Sequence, residues 1–388
     1  MKKILGLLLA LCLIAGCTSA FAAGIPVEQV KIGYITIGDE NEGYSANHLN
    51  GLKEAQAALG ISDDQVLCKY NVPETEDAYE AAIDLAEQGC NIIFAGHESY
   101  VFQAAAEYPN IQFCHATGNS AMNSELTNVH NYFYAVYESR YVSGVVAGMK
   151  LAQMIEDGTI TAENAKIGYV GAFPFAEVIS GYTSFFLGAR SQCPSVTMEV
   201  RYTNSWADMA LEKETAEALI ADGCVLISQH ADTTGAPSAC EAAGVPCVGY
   251  NISMLPVAPN TALTSAAGDW GAYVTYAVKC LIDGEEIARD WCKGYSEGAV
   301  YTTELNDSIV APGTAEKVAE LEEAFKAGTV KVFDTSAFTV NGETLTSYTT
   351  AYGLEGIEMV SDGEFHESSV RSAPYFDILI DGITAVVE

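Results

Sequence analysis

The chain repeats itself at a spacing of about 135 residues, and that repeat limits what it can fold into. Lys31-Ile32-Gly33-Tyr34-Ile35 returns as Lys166-Ile167-Gly168-Tyr169-Val170, an offset of 135. Ala82-Ile83-Asp84-Leu85-Ala86-Glu87-Gln88-Gly89-Cys90-Asn91-Ile92-Ile93 returns as the stretch from Ala216 through Gly223 and Cys224 to Ile227, an offset of 134. Two anchors at nearly one spacing describe two lobes of similar topology rather than a short-period solenoid. At 388 residues and 49% hydrophobic, each copy has enough chain for its own core.

Within each copy the pattern alternates strand and helix. Residues 30–37 form a short apolar run suited to a strand buried on both faces. Helices are predicted near 46–59 and 74–88. The second opens behind Pro73 with Glu74, Glu76 and Asp77, where acids favour a helix N-terminus, and Gly89 closes it before a strand over 91–95. The other copy runs through a strand at 166–170, a helix near 177–190, a strand near 197–202, a helix near 208–221 and a strand at 225–228. Alternating units of this kind predict an α/β fold with parallel sheets and helices on both faces. After Gly328 short strands are expected over 329–333 and 337–340, with Asn341-Gly342 as a hairpin turn.

The chain carries 18 Lys and Arg against 51 Asp and Glu, a net charge of −33. Such a surface repels phosphate backbones, so no nucleic-acid partner is expected. Charged residues are only 18% and aromatics reach 10%, which argues against an acidic disordered chain. At the N-terminus Lys2 and Lys3 precede an apolar run over 4–15, the pattern of a secretory signal, and the run is too short to span a bilayer. Ile14-Ala15-Gly16-Cys17 resembles a bacterial lipobox, which implies Cys17 as the lipid-modified N-terminus of an extracytoplasmic protein anchored to the cell membrane. Ala20-Phe21-Ala22 offers a competing cleavage site that would release a soluble protein. Nine further cysteines are scattered from Cys68 to Cys292 without a CxxC pair. They make a poor disulfide framework and a poor zinc site and read as small buried hydrophobes.

Open α/β sheets bind ligands beyond the carboxyl ends of their strands. Two such ends facing each other make a cleft that closes by hinge motion around a small molecule. Neither strand-one loop carries G-x-G-x-x-G or G-x-x-x-x-G-K-[ST], so dinucleotide and triphosphate sites are absent. HExxH, G-x-S-x-G and metal-triad spacings are missing too, so no metal, cofactor or catalytic residue is expected. The candidate ligand contacts are therefore strand-end residues. Asp39, Tyr44 and His48 follow the first strand; His97, Glu98 and Ser99 follow the strand ending near Ala95; Thr117 lies beside His115 at another strand end. From the second copy come Phe173, Phe175, Glu177, Trp206, Tyr250 and Asn251, and Asp269 and Trp270 open a helix after a strand over 263–266. Duller roles stay open: packing for His48, an N-cap for Asp269, a first-turn acid for Glu177, and a core or hinge position for Trp206.

Several segments in order carry a family resemblance. Gly43-Tyr44-Ser45-Ala46-Asn47-His48, His115-Ala116-Thr117-Gly118, Tyr137-Glu138-Ser139-Arg140-Tyr141-Val142-Ser143-Gly144, Tyr169-Val170-Gly171-Ala172-Phe173-Pro174, Thr203-Asn204-Ser205-Trp206 and Gly249-Tyr250-Asn251 together resemble the basic membrane protein (BMP) family. These are solute-binding lipoproteins of bacterial ABC importers, and the resemblance runs from about residue 30 to the C-terminus. It implies a type I periplasmic-binding-protein-like fold of two Rossmann-like lobes with a hinge and a cleft. The first lobe is expected over 30–137 plus about 255–328, the second over 138–254, and a strand-rich tail over 329–388 across both. It further implies a purine base or nucleoside as ligand (riboflavin in some members), permease and ATPase subunits as partners, and a monomer that binds without catalysis. A sensor of the same fold is the alternative. Tyr44 stands where purine-binding relatives place a Trp, and Phe173 or Phe175 is the expected second face of an aromatic sandwich. Asn251 stands where nucleoside-binding relatives place a ribose-binding Asp, which tilts the expectation towards a free base.

Overall fold

The computed structural model describes residues 24–97, 100–351 and 354–386. The leader with Cys17, and Glu98 and Ser99, lie outside the described residues.

Two separate sheets carry the duplication. In the first lobe β1 (Ile32–Ile35), β2 (Val66–Lys69), β3 (Ile92–Ala95), β4 (Gln112–Ala116) and β5 (Val129–Tyr134) lie parallel in the order β2-β1-β3-β4-β5. Helices α1 (Gly43–Leu59), α2 (Glu76–Glu87) and α3 (Val101–Glu107) connect them. The long helix α4 (Val136–Glu156) leads into the second lobe. There β6 (Lys166–Gly171), α5 (Ala176–Gln192), β7 (Thr197–Tyr202), α6 (Met209–Ala221), β8 (Leu226–His230), α7 (Gly235–Ala243), β9 (Cys247–Tyr250) and β10 (Ala262–Gly268) repeat the order as β7-β6-β8-β9-β10.

Strand side chains alternate between two buried layers, as a parallel sheet covered on both faces requires. Ile35, Ile93 and Phe113 pack with Ala78, Ala82 and Leu85 of α2 and Val101 of α3, while Tyr34, Phe94 and Tyr132 face the opposite core. In the second lobe Val170 and Ile227 pack with Ala216 and Leu219 of α6, mirroring that first cluster. A Cβ on Gly33 would sit 3.0 Å from Leu85 of α2, and one on Gly168 would sit 2.9 Å from Leu219 of α6. The duplicated glycine therefore lets a helix close onto the central strand in both copies.

The chain returns to the first lobe later than expected. β10, placed with the first lobe in the expected return from about residue 255, pairs with β9 in the second sheet. Helix α8 (Trp270–Asp283) then packs against α1, and β11 (Asp290–Lys293) pairs with β5 in the first sheet. β12 (Val300–Thr302) goes back to the second sheet, antiparallel to β10. The lobes are thus joined at three crossings, the third lying between β11 and β12. α9 (Thr314–Lys326) follows.

The tail is less regular than its composition suggests. No strand forms over 329–333 or 337–340, because those segments pack by side chains such as Phe333 and Phe338 rather than by a backbone ladder. The Asn341-Gly342 turn does form: both residues have positive φ (53° and 81°), and Val340 bridges Glu343 across it. β13 (Val360–Ser361) and β14 (Glu364–Phe365) make a small hairpin. β15 (Ile383–Val386) adds to β7 at the edge of the second sheet, while Ser372 donates to Asp290 of β11 in the first (2.7 Å). No described helix is long and apolar enough to cross a membrane.

Candidate functional site

The carboxyl ends of the two sheets frame a partly open cavity of about 70 Å³. The first lobe lines it with Ile37, Tyr44, Glu74, Gly96, His97 and Thr117, the second with Glu177, Trp206, Asp232 and Tyr250. Two larger pockets of about 920 Å³ each lie elsewhere, one along α1, α8 and β11 and the other beside the 284–289 loop. Neither is framed by both sets of strand ends, the place where an α/β sheet holds its ligand.

Tyr44 is fixed from three sides. Glu42 caps α1 by accepting the Tyr44 and Ser45 amides (2.6 and 2.8 Å), and the Tyr44 hydroxyl donates to the Gly96 carbonyl at the end of β3 (2.5 Å). Behind it His48 and Trp270 stack at 4.1 Å with an 11° interplanar angle, and the Tyr44 ring meets the His48 ring edge-on at 4.6 Å. His48 and Trp270 are therefore packing residues, fully buried and away from the cavity lining. His48 shares a hydrogen bond with the Tyr34 hydroxyl (2.7 Å).

On the opposite side Trp206 takes the place expected of the phenylalanines. Phe173 and Phe175 stack on each other at 5.1 Å and lean on Trp206, and Phe175 is 53% exposed. They buttress the tryptophan from the rim because the loop after β6 turns outward before α5. Asp39 is also outside the lining: it accepts from the amide and side chain of Asn41 (2.9 Å each), closing its own turn. Asp269 caps α8 by accepting the Gly271 amide (2.7 Å). His115 packs edge-on to Phe102 at 4.2 Å.

Asp232 was not anticipated from sequence, and the duplication held the clue. The offset of 134 that carries Cys90 to Cys224 also carries Glu98 to Asp232, so an acid follows the matching strand in each copy. The 231–234 loop is held by Gln229, whose side chain donates to the Ala231 and Thr233 carbonyls (2.7 and 2.9 Å). Buried Glu212 accepts the Thr233 amide at 3.2 Å. Asn251 is buried outside the lining and donates to the Asp232 carboxylate (2.7 Å). The position that lacks the expected aspartate therefore orients one instead. Glu74 also escaped the sequence reading, where it counted only as a helix-start acid.

The cavity's electrostatics are dominated by carboxyls taken out of water. Burial pushes Glu177 up to about 7, against the pull of the Arg140 guanidinium and with a further push from Glu74. Asp232 rises well above the usual carboxylate range, through burial and then repulsion from Glu42, Glu212 and Glu177. His97 is driven down to about 4 by burial and so is neutral near pH 7. Arg140, fully buried, donates to the Gln229 carbonyl (2.7 Å) and lies 3.7 Å from the Tyr250 ring centre. A cavity of this kind offers aromatic faces and hydrogen-bond acceptors to a neutral guest rich in N–H or O–H donors.

The lobes touch around the same cavity. The Gly43 amide donates to the Asp232 carbonyl (3.3 Å), and the Asn47 side chain donates to the Asn251 and Gly268 carbonyls (3.3 and 2.9 Å). Two similar α/β lobes closed over a small polar-aromatic cavity define a solute-binding protein of the periplasmic-binding-protein type. The chain belongs to the Bmp family, described as ABC transporter substrate-binding protein PnrA-like, whose profile matches residues 35–332. It is 32% identical over 311 residues to a purine-binding protein of Brucella abortus, covering 79% of this chain and 83% of that one. A putative ABC transporter glucose-binding protein of Haloferax volcanii is 29% identical over 336 residues, covering 85% and 81%. Among solved structures, a transcriptional activator of the comK gene from Bacillus halodurans shares the fold with a TM-score of 0.62 at 19% identity, covering 76% of this chain and 97% of that one.

Proposed function

We propose that this ABC transporter substrate-binding protein captures a purine base or nucleoside between Tyr44 of one lobe and Trp206 of the other. The supporting observation is the cavity at the facing strand ends, which joins those aromatic side chains to Glu74, Glu177 and Asp232. Stacking on an aromatic ring contributes about 1–3 kcal/mol per base, and buried carboxylates accept the ring and amino N–H groups that distinguish one base from another. The purine-binding relative from Brucella supports the same ligand class. In the open form the heterocycle docks on one lobe; hinge closure brings the second lobe onto its other face and excludes water. The closed form is then recognised by the permease because it differs in shape from the open one, and no bond in the ligand changes. In this reading the protein acts as a monomer outside the cytoplasm, tethered through a lipid on Cys17.

Thermal-shift screening of the purified protein against adenine, guanine, inosine, riboflavin and glucose tests the proposal. A ligand at 100 times its dissociation constant stabilises by about 2.7 kcal/mol, so a purine compound is expected to raise the melting temperature by several degrees. A shift with glucose alone, as the name of the Haloferax relative would suggest, contradicts it.

A further inference from the structure

The duplicated lobes make the same unusual turn with different residues. Thr117 follows β4 and Asn251 follows β9, the matching strand, at the offset of 134 seen in the sequence anchors. Both have φ 63°. Each donates its amide to the next strand, Thr117 to Tyr132 (3.1 Å) and Asn251 to Ala266 (3.0 Å). In each the following amide returns to the preceding carbonyl, Gly118 to Ala116 (2.8 Å) and Ile252 to Tyr250 (2.7 Å). A bond between residues two apart around a positive φ is a γ-turn of the rarer, strained form.

Asparagine tolerates that backbone region, whereas a β-branched threonine is an outlier there. The two copies also differ in what the residue meets. Asn251 turns its side chain onto Asp232 inside the protein, while Thr117 lines the cavity. The turn is thus costlier in the one copy where the residue faces the guest, although a residue more tolerant of positive φ is used 134 residues further on. Strained backbone that persists at a cleft points to a functional demand. A hydroxyl both donates and accepts at any pH, whereas Glu177 and Asp232, raised by burial, donate only while protonated.

We propose that Thr117 is a specificity-determining residue, its hydroxyl donating to an acceptor atom on the edge of a bound planar heterocycle. The strain of its turn is retained because relaxing replacements lose that contact. This rests on the purine reading above.

The test is calorimetric titration with adenine and with inosine, together with thermal melts, on the full protein and on Thr117→Ser, Thr117→Val and Thr117→Asn. Thr117→Ser is expected to bind within threefold of the unmutated protein. Thr117→Val, which keeps the branch and the strain, should bind at least tenfold more weakly with little change in melting. Thr117→Asn should melt a few degrees higher yet bind at least tenfold more weakly, and it keeps the idea testable if the valine variant folds poorly. Undiminished binding by Thr117→Val or Thr117→Asn overturns the role of Thr117 while leaving the purine reading intact. An unmutated protein that binds neither compound overturns the purine reading itself, and the Thr117 proposal with it.

Discussion

Tyr44 is both a wall of the cavity and a cap on a buried aromatic stack, and its substitutions separate the two roles. Tyr44→Phe keeps the ring and loses the bond to the Gly96 carbonyl, so purine affinity should stay within about threefold. Tyr44→Ala removes the stacking face, worth about 1–3 kcal/mol, and should weaken binding about tenfold or more, with some loss of stability from uncovering His48 and Trp270. Titration calorimetry on both variants checks this, and equal affinities for the two would remove Tyr44 from the site. Glu177 carries a pH prediction. Its carboxyl, raised by burial to about 7, is largely protonated at pH 5.5, and a donor on the ligand favours the ionised form. Binding then releases a proton, so affinity should rise from pH 5.5 to 7.5, by up to about tenfold per unit below that value. Glu177→Gln should flatten the profile; an unchanged slope in that variant would show that Glu177 is not the responsive group. At this scale the sequence reading agrees with the cavity lining at Tyr44, His97, Thr117, Glu177, Trp206 and Tyr250. It fails for His48 and Trp270, because a helix-borne ring near the cleft turns inward or outward according to packing from α1 and α8, elements far apart in the chain.

The helix pair α4 and α5 shows how small residues set an element's position. A Cβ on Gly144 would fall 2.1 Å from the Phe185 carbonyl oxygen, and one on Gly148 would fall 2.2 Å from that of Ala189. On the facing helix, a Cβ on Gly188 would fall 2.1 Å from the Tyr141 carbonyl oxygen. In an exposed helix Gly→Ala is favourable by about 1 kcal/mol. Here the backbones are in contact, so Gly148→Ala should lower the melting temperature by at least several degrees despite the better propensity. A melt at or above that of the unmutated protein would mean the helices can separate without loss. The strands at 30–37, 91–95, 166–170 and 225–228 were legible in the sequence, since the duplication supplies each of those predictions twice. The tail was not legible in that way. Over 329–343 its alternation reads as strands, but Phe333 and Phe338 cluster with Phe376 by ring contacts, and only isolated bridges form there. The return crossing was misplaced for a related reason: β10 is buried along its whole length, and a strand apolar on both faces fits either sheet equally well.

For the molecule as a whole, buried acids govern the response to pH. Burial raises Glu138, Glu177, Glu212 and Glu367 to about 7, above the ordinary value of 4.5 that the unfolded chain shows. These acids bind more protons folded than unfolded, so their contribution to stability falls as pH rises from about 4.5 to 7; the buried neutral His48, His97, His130 and His230 oppose it only in part, below their ordinary value of 6.5. The net charge of −33 at pH 7 adds self-repulsion in the same direction. The ligand-free protein should therefore melt at a higher temperature at pH 5.5 than at pH 8, and the reverse order in a melting series would show these acids to be solvated. The central claim concerns the space between the lobes: a flat guest is held there unchanged by aromatic residues from both sides. Its most direct test is a crystal structure grown with the purine compound that gives the largest thermal shift. The account predicts intact heterocycle density between Tyr44 and Trp206, within hydrogen-bond reach of Glu177 or Asp232; density only in the groove along α8 and β11, or a cleaved ligand, would contradict it.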